Sequence, residues 1–350
     1  MKVVALVVSW NAAPQLPACL ASLDAQDHED LEVVVVDNAS HDGSGAVLAA
    51  AERDPDRRHS LRVVRNATNR GFAGAVNDGL AVTAGDAVLL CNVDIELAPT
   101  LVSRCVAVLD RHAEVGSVQP KLLRTVPAPD GGAVIDTTGH ELTAARLVRN
   151  RGEGERDLGC YDQPAEVFGV SGAVALHRRA MLDDVAWRLP DGRREVLTED
   201  LFAYFDDVEL DWRARLLGWR ARYEPTAVGW HERGGAGARR TPVVEALNWS
   251  NRLLTIATCD DGRSLRRVAP LVVATTVLKT GELALTVPSA VVPALRRLGL
   301  LRAARWRRRQ LQARARVGPG RVLDRWVVPF RWRPWVATWW RRVTGRALGV

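Results

Sequence analysis

The five cysteines of this 350-residue chain, Cys19, Cys91, Cys105, Cys160 and Cys259, form no CxxC pair and show no metal-ligand spacing. Neither a disulfide scaffold nor a cysteine metal site is indicated, and they read as buried thiols in a reducing compartment. The first 120 residues hold no G-x-G-x-x-G fingerprint and no G-x-x-x-x-G-K-[ST] loop, which disfavours a dinucleotide dehydrogenase or P-loop enzyme. A run of the ~20 apolar residues needed to span a bilayer is also missing. Val268–Leu278 and Leu283–Leu295 are 11 and 13 residues long, separated by Lys279 and Glu282 and interrupted by Pro270, Pro288 and Pro293. They predict packed or interfacial helices. One Lys precedes Val3–Val8, and Asn11 and Pro14 follow it without a small-residue cleavage pattern, so this run reads as a first strand and not as a signal peptide.

What is present is an ordinary globular composition, 47% hydrophobic and 25% charged, long enough for about two domains. Charge is divided unevenly. Residues 296–350 carry sixteen Arg, no Lys and one Asp, or +15, which leaves −8 of the net +7 on residues 1–295. Six of the twelve Trp lie in that basic tail.

Along the chain, Val3–Ser9 is an apolar run suited to a strand buried on both faces, followed by a helix over about Gln15–Ala25. Leu31–Val36 repeats the pattern, ends in Asp37-Asn38-Ala39-Ser40, and leads to a helix opened by Asp42-Gly43-Ser44. A third strand, Leu61–Val64, enters Asn69–Gly79, whose small residues permit close approach to a ligand or a neighbouring strand. Ala87–Cys91 is a fourth, ending in Asn92-Val93-Asp94 and in Pro99, which starts a helix. Four such alternations predict an α/β fold with a mostly parallel, doubly wound sheet that binds ligands beyond the carboxyl ends of its strands. Asn92 and Asp94 either close a turn or serve that site. Thr125–Glu166 predicts an excursion over the sheet, and Val167–His177 resumes strand content around Gly172, where a side chain would collide with a substrate.

Phe202–Leu217 predicts a helix with Val208, Leu210, Trp212, Leu216 and Leu217 facing inward and Asp206 and Asp207 at its start. Those two carboxylates satisfy a helix dipole or, walled by Phe202, Tyr204 and Phe205, supply a general base. Glu209 and Arg213 read as a stabilising i,i+4 pair. Two short strands, Arg220–Tyr223 and Ala227–Trp230, deliver His231, which is either structural or a ligand beside the Gly234–Gly237 segment, able to move over a diphosphate. Imidazole plus one carboxylate suits a divalent cation that also accepts phosphate oxygens.

Five motifs in this order, the strand ending Ser9-Trp10-Asn11, VVVVDNASHDGS, NRGFAGAVNDG, LLCNVDIEL, and FAYFDDVELDWRARLLGW followed by His231, resemble the inverting family 2 glycosyltransferases of the GT-A fold. The resemblance covers about residues 1–240 and is nearest the bacterial branch of rhamnosyl- and galactofuranosyltransferases. It implies a Rossmann-like GT-A domain over 1–240, with a nucleotide-sugar half (1–120) and an acceptor half (121–240), before a helical, membrane-associating region at 241–350. It implies that Ser9, Asn11, Asp37, Asn69, Asn77, Asn92 and Asp94 bind a dTDP- or UDP-sugar, with Asp37 on the nucleobase. Asp94 and His231 would hold Mg or Mn. Asn92 replaces the first Asp of the family's D-x-D and adds no charge. Asp207 would be the base, with Gly172 and Asp206 at the acceptor. The function implied is metal-dependent transfer of rhamnose or a similar sugar to a polyprenyl-linked glycan in cell-envelope polysaccharide synthesis. The enzyme would be cytoplasmic, held at the inner face of the membrane. The alternatives are a nucleotidyltransferase, disfavoured because Ser9–Gln15 lacks Lys and Arg, and a non-catalytic carbohydrate-binding scaffold. The tail, with Arg305, Arg307, Arg308, Arg309, Arg314 and Arg316 ahead of Trp326, Trp332, Trp335, Trp339 and Trp340, suits an anionic membrane surface. Nucleic acid is the other partner such a tail could take, and it is not expected here.

Overall fold

The computed structural model describes residues 1–233 and 241–345, so the Gly234–Gly237 segment lies outside the described residues. The described residues divide into two units, 1–140 with 150–233 and 141–149 with 241–345.

In the first unit the strand and helix alternation runs β1 (Val3–Ser9), α1 (Leu16–Asp24), β2 (Leu31–Asp37), α2 (Ser44–Glu52), β3 (Ser60–Arg65), α3 (Gly71–Ala81) and β4 (Ala87–Asn92). β2 and β4 flank β1 in parallel, β3 extends β2, and β1, β2 and β4 are almost wholly buried, as their continuous apolar runs require. The small residues of Asn69–Gly79 fall in α3; Gly71 approaches Phe202, and Gly79 approaches the sheet. A Cβ at Gly79 would run into the side chains of Leu6 and Val36.

Beyond β4 come β5 (Ile95–Leu97), α4 (Leu101–Arg111), β6 (Val115–Arg124), β7 (Ile135–Thr137), β8 (His140–Thr143), β9 (Val148–Asn150), β10 (Ala165–Val167), β11 (Val174–Arg178) and α5 (Arg179–Val185). A small hairpin, β12 (Trp187–Arg188) with β13 (Arg194–Glu195), precedes a 3-10 turn at Glu199–Leu201, α6 (Asp206–Leu216) and β14 (Arg220–His231). The sheet order is β10-β14-β6-β11-β4-β1-β2-β3, with β5 on β14 and β7 on β6.

Three expectations change. The excursion 125–166 joins the sheet it was expected to cover, because β7 pairs with β6 and β10 with β14. The sheet is mixed past β4, since β11 runs antiparallel to both β4 and β6. The two strands around Pro225 are one, β14, whose pairing with β6 shifts between Glu224 and Val228; this irregularity accommodates a residue that cannot donate to the ladder.

In the second unit, β8 lies between β9 and β15 (Val327–Val328) in a small sheet, accompanied by α7 (Pro242–Cys259), α8 (Gly262–Thr286), α9 (Val291–Arg296), α10 (Leu301–Arg314), α11 (Pro319–Trp326) and α12 (Trp332–Thr344). A buried ion pair, Arg146 Nε to Asp260 Oδ2 at 2.6 Å, ties residues 141–149 to the end of α7. The first apolar run is not a separate helix. α8 passes through Pro270, Lys279 and Glu282 without a break, and the two charges, three residues apart, pair at 2.8 Å. Its 25 residues, ~37 Å at 1.5 Å each, make it long and apolar enough to cross a membrane. The tail tryptophans are partly packed: Trp332 and Trp335 meet edge to face with each other and with Phe330, and Trp339 Nε1 donates to the carbonyl of Leu278 in α8.

Candidate active site

The parallel register sets Ser9 opposite Asp37, and Asn92 opposite Val8, so these residues share the C-terminal edge of the sheet. Asp37 accepts the amide of Ser40 through Oδ1. Asn11, at φ 49°, accepts the amide of His41 and binds the next loop to the first. The Ser9 hydroxyl is buried with no hydrogen-bond partner among the described residues. Asn69 and Asn77 are engaged inside the fold. Asn69 Oδ1 accepts from Gly71 and Asn38, and Asn77 Oδ1 accepts the amides of Val196 and Leu197 while its Nδ2 donates to Leu197 O and Glu199. With Arg70, which pairs with Asp78 at 2.7 Å and Glu199 at 3.0 Å, they fasten α3 to the segment ahead of α6.

That segment is strained. Phe202, Tyr204 and Phe205 all have φ near 66°, left-handed backbone that costs a non-glycine residue about 1 kcal/mol or more. The Ala73 amide, donating to Phe202 O, helps hold it. The chain thereby reaches the start of α6 with Asp206 and Asp207 side by side in different surroundings. Asp206 is 4% exposed and shares a small pocket with Phe72, Leu90, Leu197 and Leu210. Burial, then the charge of Asp207, pushes its pKa up to about 8. The side chain of Asp207 is 26% exposed, so of the two it is the carboxylate an acceptor can reach. Of the aromatics expected to wall the pair, Tyr204 is 44% exposed, and Phe72, Leu90 and Leu197 from elements distant in sequence line the pocket beside both carboxylates.

Asp207 Oδ2 accepts the Gly172 amide at 2.9 Å and lies 3.6 Å from His140 Nε2, while His140 Nδ1 meets Asp211 Oδ2 at 2.8 Å. Burial opposes charge on His140, but Asp207, Asp211 and Asp206 together hold its pKa above the ordinary value. Burial raises Asp211 to about 6 against the pull of His140. At Gly172 it is the Asp207 carboxylate that stands close, 3.2 Å from where a Cβ would lie.

On the other side of the site, β5 pairs with the end of β14, His231 opposite Ile95, which brings His231 Nε2 to 3.4 Å from Asp94 Oδ2. Asp136, from β7, accepts from Nδ1 at 2.8 Å and is flanked by Arg233. Burial works against a charged His231, yet the hydrogen bonds of Asp136 and Asp94 push its pKa to about 9. A histidine whose Nδ1 is held by a carboxylate presents Nε2 as a ligand once a cation displaces the proton on that nitrogen. Asp94 and His231 could together hold a cation whose other ligands are substrate oxygens and water, as Mg is bound beside phosphates. The two sides are linked: the Asn92 amide donates to Ala173 O, next to the Gly172 amide that holds Asp207.

Asp136, His140 and Asp211 were missed in the sequence. The signal available was a carboxylate directly after the apolar Val134-Ile135 and a His four residues on. Glu209 and Arg213 do pair, at 2.8 Å, but fully buried, with Arg213 stacked on Trp187.

Residues 4–127 match the model of Glycosyl transferase family 2. An uncharacterized glycosyltransferase of Nostoc sp. is 32% identical over 117 residues, 33% of this chain and 35% of that protein. The N-acetylglucosaminyl-diphospho-decaprenol L-rhamnosyltransferase of Mycobacterium tuberculosis is 26% identical over 257 residues, 67% of this chain and 77% of that protein. The chain thus spans about a third of the first relative and three quarters of the second. Among solved structures, GalNAc-T7 with UDP, GalNAc and Mn2+ aligns with a TM-score of 0.62 at 12% identity, covering 93% of this chain and 56% of that one. This last likeness concerns the GT-A fold.

Proposed function

We propose that this chain, whose residues 4–127 match the model of Glycosyl transferase family 2, moves a sugar from a nucleoside diphosphate to an acceptor hydroxyl with inversion at the anomeric carbon. The observation that carries the reading is the linked pair of sites: a partly exposed Asp207 on one side and Asp94 with His231 on the other, with Gly172 on Asp207 and the next residue, Ala173, on Asn92. Asp207 takes the acceptor proton as general base. The Gly172 amide and His140 steady its Oδ2, and Asp206, held protonated by burial, does not compete for the role. Asp37, at the end of β2, would accept from a nucleobase. A divalent cation held by Asp94 and His231 would supply positive charge for the departing diphosphate.

The mycobacterial relative's name supports rhamnose as the sugar and a polyprenyl-diphosphate-linked saccharide in cell-envelope synthesis as the acceptor. The basic tail supports association with the anionic inner face of a membrane, where such an acceptor resides. Each Arg near that surface contributes about 1 kcal/mol. A thermal-shift panel of nucleoside diphosphates and dTDP-, UDP- and GDP-sugars with and without Mg or Mn tests the reading. A ligand at one hundred times its dissociation constant stabilises by ~2.7 kcal/mol. No metal-dependent response to any nucleotide would refute it.

A further inference from the structure

We propose that the outward stripe of α8 is a lipid-facing surface that lies in the headgroup and acyl boundary of an anionic bilayer, which names the face behind the membrane association proposed above. The polarity of α8 is inverted relative to a helix on a water-exposed surface. Its polar side chains turn into the second unit. Arg252 donates to Thr275 Oγ1 at 2.9 Å and Thr276 Oγ1 at 3.0 Å, and Trp249 Nε1 donates to Thr280 Oγ1 at 3.0 Å. Glu282, 3% exposed, takes Lys279 at 2.8 Å and Arg342 at 3.3 Å. These are the only charged side chains between Arg267 and Thr286, and both are neutralised on the inner side. Facing away are Val273, Val277 and Leu285, exposed by 59%, 63% and 69%.

At 100° per residue, Arg266, Arg267, Val273, Val277 and Leu285 fall within a stripe about 120° wide, opposite Thr275 and Glu282. The first two are exposed cations at the N-terminal end of an otherwise uncharged face. Water favours the reverse arrangement, valine inside and threonine, lysine and glutamate outside. Hydrocarbon favours this one. The exposed Val292 and Leu295 of α9 follow in the chain, and Trp332 and Trp340 of α12, a helix pinned to α8, are exposed beside the exposed Arg331, Arg333 and Arg341. Tryptophan and arginine beside an apolar face match the interface of an anionic membrane. Because the inner half of α8 packs within its own unit, the helix is placed in the plane of the interface.

The test uses the full-length protein and vesicles of phosphatidylglycerol and phosphatidylcholine, sedimented at low and high salt. Val273→Glu with Val277→Glu and Leu285→Glu should lower the partition coefficient by more than about tenfold, the factor that one well-buried aliphatic side chain accounts for. Circular dichroism and metal-dependent hydrolysis of the nucleotide sugar should stay unchanged, since the three positions are exposed and outside the proposed active site. In a Cys160→Ser background, Val277→Cys carrying an environment-sensitive fluorophore should shift to the blue when vesicles are added. Wild-type binding matched by the triple variant, or no shift at position 277 in bound protein, overturns the surface while leaving membrane association standing. A wild-type chain that does not bind vesicles overturns both. A probe already shielded without lipid, in a protein that light scattering shows to be dimeric, assigns the stripe to a second copy and overturns the lipid assignment.

Discussion

Replacing Asp206 with Asn should stabilise the protein at neutral and alkaline pH and change little near pH 4. Asp206 has its pKa raised from 3.8 to about 8, first by burial and then by the adjacent Asp207. For a carboxyl group shifted in this direction, the folded state is favoured most when the group is protonated in both states, below 3.8. That advantage is lost as pH climbs through the window up to 8. At pH 7 the full linkage is about three units at 1.36 kcal/mol each, ~4 kcal/mol against folding. We expect an Asn substitution to recover part of this, ~1–3 kcal/mol. Asn keeps an acceptor oxygen and nearly the same volume, and therefore opens no cavity. Urea unfolding of wild type and variant at about pH 4.5, 7 and 8.5 measures the difference. A gain that grows with pH supports a buried, protonated Asp206. An equal loss at every pH would refute the reasoning, for it would mean that the carboxylate serves as a hydrogen-bond partner that the amide cannot replace.

Three further outcomes follow from the same site. Asp207→Asn should abolish transfer while leaving nucleotide-sugar binding nearly intact in calorimetric titration, because the base acts on the acceptor; an active Asp207→Asn beside an inactive Asp206→Asn would move the assignment by one residue. Asp94→Ala should weaken metal-dependent binding of a nucleoside diphosphate more than His231→Ala does, since it removes charge as well as a ligand, and unchanged metal dependence in both would exclude them from the coordination shell. His140→Asn should lower kcat by roughly tenfold with the donor KM unchanged, and should move the acidic limb of the kcat profile to higher pH, because an imidazolium facing the base favours its ionised form; a change in stability alone would make His140 merely structural.

The sequence alone carried the alternation of β1 to β4 with helices, and with it the edge where Ser9, Asp37, Asn92 and Asp94 gather. Continuous Val and Leu runs bounded by Asn, Asp and Gly can satisfy burial on both faces in few other ways. The pairing of two acidic residues at the head of α6 and the division of charge between body and tail were equally plain. Tertiary structure decided what depends on partners far along the chain. Asp136 reaches His231 across 95 positions and Asp211 reaches His140 across 71, and both of those partners lie in an excursion whose short strands have no strong local period. That Asp206 is buried while Asp207 stays partly exposed was decided by the fold, since a carboxylate's environment is the sum of what other elements bring to it. The inward turn of Thr275 and Glu282 required Arg252 and Arg342 to receive them. Hydropathy along one strand of sequence counts apolar residues, but only packing determines which side of the helix they are left to face.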